Sequence, residues 1–249
     1  MRFEGLFWFC MIAVALIGGI RCESHDAAAQ SDLLPPRKVV AARYAIQALE
    51  LRNVTGRLEI ESGSGSHAEV TLEGQADALA GVRRRRDADT LVIAGLRERG
   101  PSAGPSGAFL TVRVKVPHGL PLRILGHRGT IVAGDLKGPL VLELREGMAT
   151  LERIRDARLS LSGPGRIAAG EARGDLSIAV IGAGEVLVDA SFLERLEIGV
   201  TGAGSVDVGG TARFASLSLV GTGHIYVAQA ERQPLVQRIG SGEVLIGRR

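Results

Sequence analysis

The chain has 249 residues, 30 Lys and Arg against 27 Asp and Glu, and a formal charge of +3, so net charge alone marks out no nucleic-acid or membrane partner. Both cysteines, Cys10 and Cys22, lie near the start; a mature chain that has lost them can use neither disulfides nor thiolate chemistry. Aromatic residues make up 4% and the single tryptophan is Trp8, which leaves no aromatic platform of the kind that grips sugars or single-stranded nucleic acid.

Leu6 to Ile20 runs without a charge and comes after Arg2. It is short for a membrane span of about 20 residues and suits the core of an export signal, with Ala27, Ala28 and Ala29 as the small residues before cleavage. The expected leader is 1–29 and the expected mature N-terminus Gln30, which places the protein outside the cytoplasm, in the periplasm, on the surface or secreted. Glu4 weakens the basic start, so an uncleaved N-terminal anchor stays open and is the only membrane contact expected. Cys22 is a poor lipoprotein site, because Arg21 stands where a small residue is wanted. Removing Arg2, Arg21, Glu4, Glu23 and Asp26 moves the formal charge from +3 to +4. Nucleic acid is then not an expected partner, whereas anionic envelope polymers are compatible with it.

Residues 30–48 read as a linker, with Pro35 and Pro36 ahead of Arg37 and Lys38. From 49 to 121 the chain alternates in the manner of strands but out of step with the C-terminal repeats, and its turns are marked by glycine, serine and proline. We expect this part to form an irregular start that covers one end of a repeat array; a separate small β domain is the alternative. Arg83 to Arg86 is the densest run of charge, read as a turn that is either solvated or binds an anion.

Residues 122–249 repeat one phrase. Leu176 to Val188 reads LSIAVIGAGEVLV and Leu196 to Val208 reads LEIGVTGAGSVDV. Anchoring glycines recur at Gly129, Gly147, Gly165, Gly184, Gly204, Gly223 and Gly242, each 18 to 20 residues after the last. Two and four residues after each anchor every residue is apolar, from Ile131 and Ala133 to Val244 and Ile246, which is the alternation of a strand with one buried face. A period this steady means stacked coils. The fold expected is all-β, a right-handed parallel β-solenoid (β-helix) of about seven coils. Gly165 and the pairs Gly182 and Gly184, Gly202 and Gly204, Gly221 and Gly223, and Gly240 and Gly242 are its expected corners, glycine so that the chain can take positive φ and neighbouring coils can stack closely, with Gly204 expected to need both.

The order of NVTGRLEIESG from Asn53, AEVTLEG from Ala68, DTLVI from Asp89, VRVKVP from Val112 and then serial Gly-x-Gly-x-Val copies resembles the bacterial DUF2807 family, the putative autotransporter adhesin head GIN domain. The likeness covers about Leu49 to Ile246. It implies an exported β-solenoid, offers adhesion as the role, and brings no catalytic residues with it.

Local matches to chemistry have simpler explanations. Gly182 and Gly184 would need a third glycine at Leu187 and a helix after it to open a dinucleotide fold. Asp207 is the one carboxylate of its column, with Leu187 and Tyr226 as neighbours, so no calcium ladder forms. His67, His118, His127 and His224 are scattered, with no zinc spacing. The column after the anchors reads Arg166, Glu185, Ser205, His224, Glu243; Arg166–Glu185 and His224–Glu243 are expected cross-strand pairs, read as a solvated ladder rather than an acid/base pair. No catalytic residue, metal ligand or cofactor is assigned.

The outward column Val132, Thr150, Ala168, Leu187, Asp207, Tyr226 and Leu245 is more apolar than exposure requires, and Leu187, Tyr226 and Leu245 are its expected contact residues. The function expected is a non-enzymatic binding or adhesion module. Its partner, an envelope or surface polymer or protein, is not named by the sequence. A self-associating structural protein of the envelope is the alternative, and an enzyme on polysaccharide, which needs clustered carboxylates in a groove, is the third reading.

Overall fold

The computed structural model describes residues 38–95 and 110–247, which fall within one compact unit, 36–249. The expected leader and its cleavage site lie outside the described residues. Of the described residues, 79% are strand and 3% helix. It opens with β1 (Lys38–Tyr44), β2 (Ala48–Arg52), β3 (Thr55–Gly63) and β4 (Ala68–Gly74). A five-residue helix α1 (Ala76–Ala80) comes next, then β5 (Arg83–Asp87), β6 (Thr90–Ala94) and β7 (Leu110–Pro117). The repeats form β8 (Leu122–Ser162), β9 (Gly165–Gly182), β10 (Glu185–Gly202), β11 (Ser205–Gly221), β12 (His224–Ala230), β13 (Leu235–Ile239) and β14 (Glu243–Ile246).

Parallel pairing joins β3 to β8 and then runs β8–β9–β10–β11–β12–β14, with β13 on β11, as a β-solenoid requires. One wall stacks Leu58 and Ile60, Ile131 and Ala133, Ala149 and Leu151, Ile167 and Ala169, Val186 and Val188, Val206 and Val208, and Ile225 and Val227. None of these is more than 3% exposed. A second wall stacks Leu49 and Leu51 under Leu122 and Ile124 and continues through Leu196, Ile198 and Val200 to Leu217 and Leu219. Each buried Val, Ile or Leu contributes about 1.5–3 kcal/mol, and the parallel ladder satisfies the backbone of the coil above and below. The stack makes about five turns rather than seven. Seven anchoring glycines do not make seven coils, because the last copies are fragments, the five-residue β13 and the four-residue β14, and β13 is exposed throughout.

The start differs from its expected form in three places. Lys38–Tyr44, within the expected linker, is a strand antiparallel to β4, where Val40 faces Leu72 and Ala42 faces Val70. β2 and β3 stand in parallel register with the first repeat, Leu51 on Ile124 and Leu58 on Ile131, so the out-of-step region supplies the first layer of the core. Arg83–Asp87 is a strand rather than a turn, paired through its backbone antiparallel to β6 alone, with all five side chains exposed.

Candidate functional site

The corners set how the outward side chains are spaced. In the pairs Gly182/Gly184, Gly202/Gly204, Gly221/Gly223 and Gly240/Gly242 only the first glycine lies in the left-handed region, at φ 107°, 116°, 127° and 118°. Of the two reasons expected for Gly204, positive φ does not hold and close stacking of the coils does. A Cβ there would lie 2.5 Å from Val180 Cγ1 and 2.9 Å from the Gly184 carbonyl oxygen of the coil below. In the preceding corner the turn glycine is Gly163, φ 112°, and at Gly165 a Cβ would meet the Gly147 carbonyl at 2.6 Å.

These close approaches hold neighbouring coils in column. Thr150 pairs with Ala168, Ala168 with Leu187, Leu187 with Asp207, Asp207 with Tyr226 and Tyr226 with Leu245. The structure thus brings Leu187, Tyr226 and Leu245 onto one face. Leu245 is well exposed there, whereas Leu187 and Tyr226 are half-buried. Beside them runs the charged column. The Arg166 guanidinium donates to Glu185 at 2.8 Å, and His224 Nδ1 stands 4.0 Å from Glu243. Glu185, Ser205, Asp207, His224, Tyr226 and Glu243 rim a shallow groove across the four strands β10, β11, β12 and β14. All these ion-paired side chains are about half exposed, so each pair adds well under ~1 kcal/mol.

Sequence reasoning missed the most exposed apolar column. Ile181, Thr201, Val220 and Ile239 pair in register on the other wall, with Ile239 69% and Ile181 58% exposed. A signal was present, since each precedes the first glycine of a corner, where alternation points the side chain out. Phe192 and Phe214 are also exposed, each with an arginine over its ring, Arg173 at 5.9 Å and Arg213 at 5.3 Å from the centroid.

The first layer carries two electrostatic features. On its outer surface Glu59 accepts from Arg57 at 2.6 Å and from Arg113 at 2.7 Å, and these hydrogen bonds hold its carboxyl below the usual range. In the core, His127 is fully buried and neither ring nitrogen has a hydrogen-bond partner. Burial pushes it down to about 4, with the backbone of Thr130 and Gly56 pulling weakly the other way. His67, His118 and His224 lie in separate elements or turns, and among the described residues no group of three His, Cys, Asp or Glu is placed to hold a metal. After Gly182 and Gly184 the chain continues as strand β10, not as a helix. No described helix is long and apolar enough to cross a membrane.

The chain thus forms a β-solenoid whose long strands are joined by two-residue corners. The chain belongs to the DUF2807 family, described as "Putative auto-transporter adhesin, head GIN domain", which matches residues 50–246. Its fold is similar to that of a putative adhesin from Bacteroides fragilis, at a TM-score of 0.58 and 12% identity over 85% of this chain and 98% of that one. Looser likenesses are a putative adhesin and a putative lipid binding protein, both from Parabacteroides distasonis. The first has a TM-score of 0.45 and 15% identity, covering 84% of this chain and 97% of that one. The second has a TM-score of 0.43 and 14% identity, covering 84% and 96%. No curated protein matches the sequence.

Proposed function

We propose that this protein is an exported, non-enzymatic binding module that contacts an envelope or surface polymer or protein through the outward columns of its coils. The observation that carries the reading is the registered outward column from Thr150 to Leu245, which brings Leu187, Tyr226 and Leu245 onto one face with Asp207 between Leu187 and Tyr226. Family membership supports adhesion as the kind of contact, and with it a place outside the cell or on its surface. The corners support binding over catalysis. Only 163–164, 183–184, 203–204 and 222–223 separate the long strands, too little chain to wall a cleft around a bond to be cleaved. The test is a Leu187→Lys, Tyr226→Lys double variant, checked as folded by circular dichroism and compared with wild type for retention on an envelope preparation. Loss of retention is expected; equal retention refutes this face.

A second reading, self-association, is favoured by the exposed column of Ile181, Val220 and Ile239. It predicts light scattering that rises with concentration and returns to that of a monomer in Ile181→Lys, Val220→Lys.

A further inference from the structure

The first layer ends in a patch whose charge does not balance. β5 is bonded to β6 on one side only, all five of its residues are exposed, and four of them are arginine. Cross-strand register places Arg83 opposite Ala94 and Arg85 opposite Val92; Ala94 then pairs with Arg52, Val92 with Glu50, and Glu50 with Arg123. Partners in a row share a face, so Arg83, Arg85, Arg52 and Arg123 stand on one outward surface, separated by the small side chains of Val92 and Ala94. The acids there are two. Glu50 is 5% exposed, bonded to Arg52 and 4.0 Å from Arg123, and Asp87 lies 4.0 Å from Arg85. Arg86 has another task. Its guanidinium donates to the Ala45 and Ala88 carbonyls at 3.0 Å each and clamps the end of the strand.

We propose that this surface docks a linear acidic polysaccharide, its carboxylates received by Arg83, Arg85 and their neighbours. The proposal rests on the binding-module reading and places a second contact at the opposite end of the stack from Leu245. A strand edge is blunted against unwanted pairing by a single charge. Arg83 and Arg85 on one face of β5, joined there by Arg52 and Arg123, exceed that need, whereas Arg84 and Arg86 alternate to the other face. Side chains on one face of a strand are about 7 Å apart and neighbouring strands about 4.8 Å apart, so the cations form a fixed two-dimensional array. Each guanidinium offers a planar fork that matches a carboxylate, which a polyuronate repeats along its length. A bilayer fits less well, because β2, β5 and β6 expose no large apolar or aromatic side chain to enter it.

The experiment compares wild type with Arg83→Gln, Arg85→Gln, sparing Arg84 and Arg86, for binding to immobilised alginate, neutral dextran and phosphatidylglycerol vesicles at low and high salt. Wild type is expected to bind alginate at low salt only, to ignore dextran and to bind vesicles more weakly. The double variant, folded by circular dichroism, is expected to lose about tenfold or more, as removal of two charge-assisted contacts requires. Alginate binding unchanged in the variant, stronger binding to vesicles, or no alginate binding by wild type overturns the proposal. Edge protection alone would show as a variant that self-associates and a wild type indifferent to alginate, which also overturns it. If wild type and variant are retained equally on envelope material, this proposal fails and the binding-module reading stands; if wild type is not retained at all, that reading fails first.

Discussion

Gly202 and Gly204 sit two residues apart; neither has room for a Cβ, and only Gly202 also has a left-handed backbone. Gly202, at φ 116°, turns the chain, and a side chain there strains the backbone by about 1–3 kcal/mol. Gly204 has an ordinary backbone but no room above Val180 and Gly184. Gly204→Val should therefore lower the denaturation midpoint by about 3 kcal/mol of stability, whereas Gly199→Ala, with nothing within 4 Å of its Cβ, should change it by less than about 0.5 kcal/mol. Equal midpoints for the two would remove the stacking account. The Gly-x-Gly phrase makes the corner legible but not the division of labour, because strain and crowding select the same residue. His127 is equally opaque, since sequence carries no sign of its full burial. The unfolded chain takes up its proton near 6.5 and the folded chain only near 4, so the unfolded state binds more protons between them. Stability present above that window is lost as pH falls through it, by about 3 kcal/mol at most. His127→Phe should flatten unfolding curves measured between pH 7 and pH 4.5; a wild type and variant that lose stability in parallel would show that the ring is not the cause.

At the scale of the element, a long strand gains from both neighbours and an end strand from one. β10 pairs with β9 and β11 along nearly all its length, while β13 pairs with β11 and β14 with β12. Val186→Ala in β10 should cost about 1–3 kcal/mol, and Ile246→Ala in β14, 38% exposed in a core column, less than half of that. Amide exchange should be faster in β12, β13 and β14 than in β9 and β10; uniform protection would mean that the end coil is covered. Columns two and four after each glycine are legible because apolar alternation has a period of two. β1 and β5 are not. Lys38–Tyr44 comes soon after two prolines, and four arginines carry no strand signal, so both are strands only because an apolar partner edge, β4 or β6, is there to pair with. The exposed column through Ile181 and Ile239 obeys the same alternation, yet its apolar side chains look from sequence alone like more of the buried wall.

For the molecule as a whole, translation by one coil is the organising operation. It makes seven glycines, the core columns of two walls and several outward columns from one phrase, and it is why the outward column of Leu187, Asp207, Tyr226 and Leu245 can be located from sequence while a partner cannot. A partner is recognised by the sum of a surface, and flat ladders of mixed residues leave that sum open. The first layer departs from translation and carries the charge imbalance at Arg83–Arg86. Everything proposed about faces depends on the coils being parallel and in register. The direct measurement is a spin–spin distance between nitroxides at Thr150 and Tyr226, with Cys10 and Cys22 replaced by serine. Four register steps separate these residues, through Ala168, Leu187 and Asp207. At about 4.8 Å per step the account predicts a narrow distribution centred near about 20 Å. A broad distribution, or one centred well beyond about 30 Å, would contradict the stack and the faces built on it.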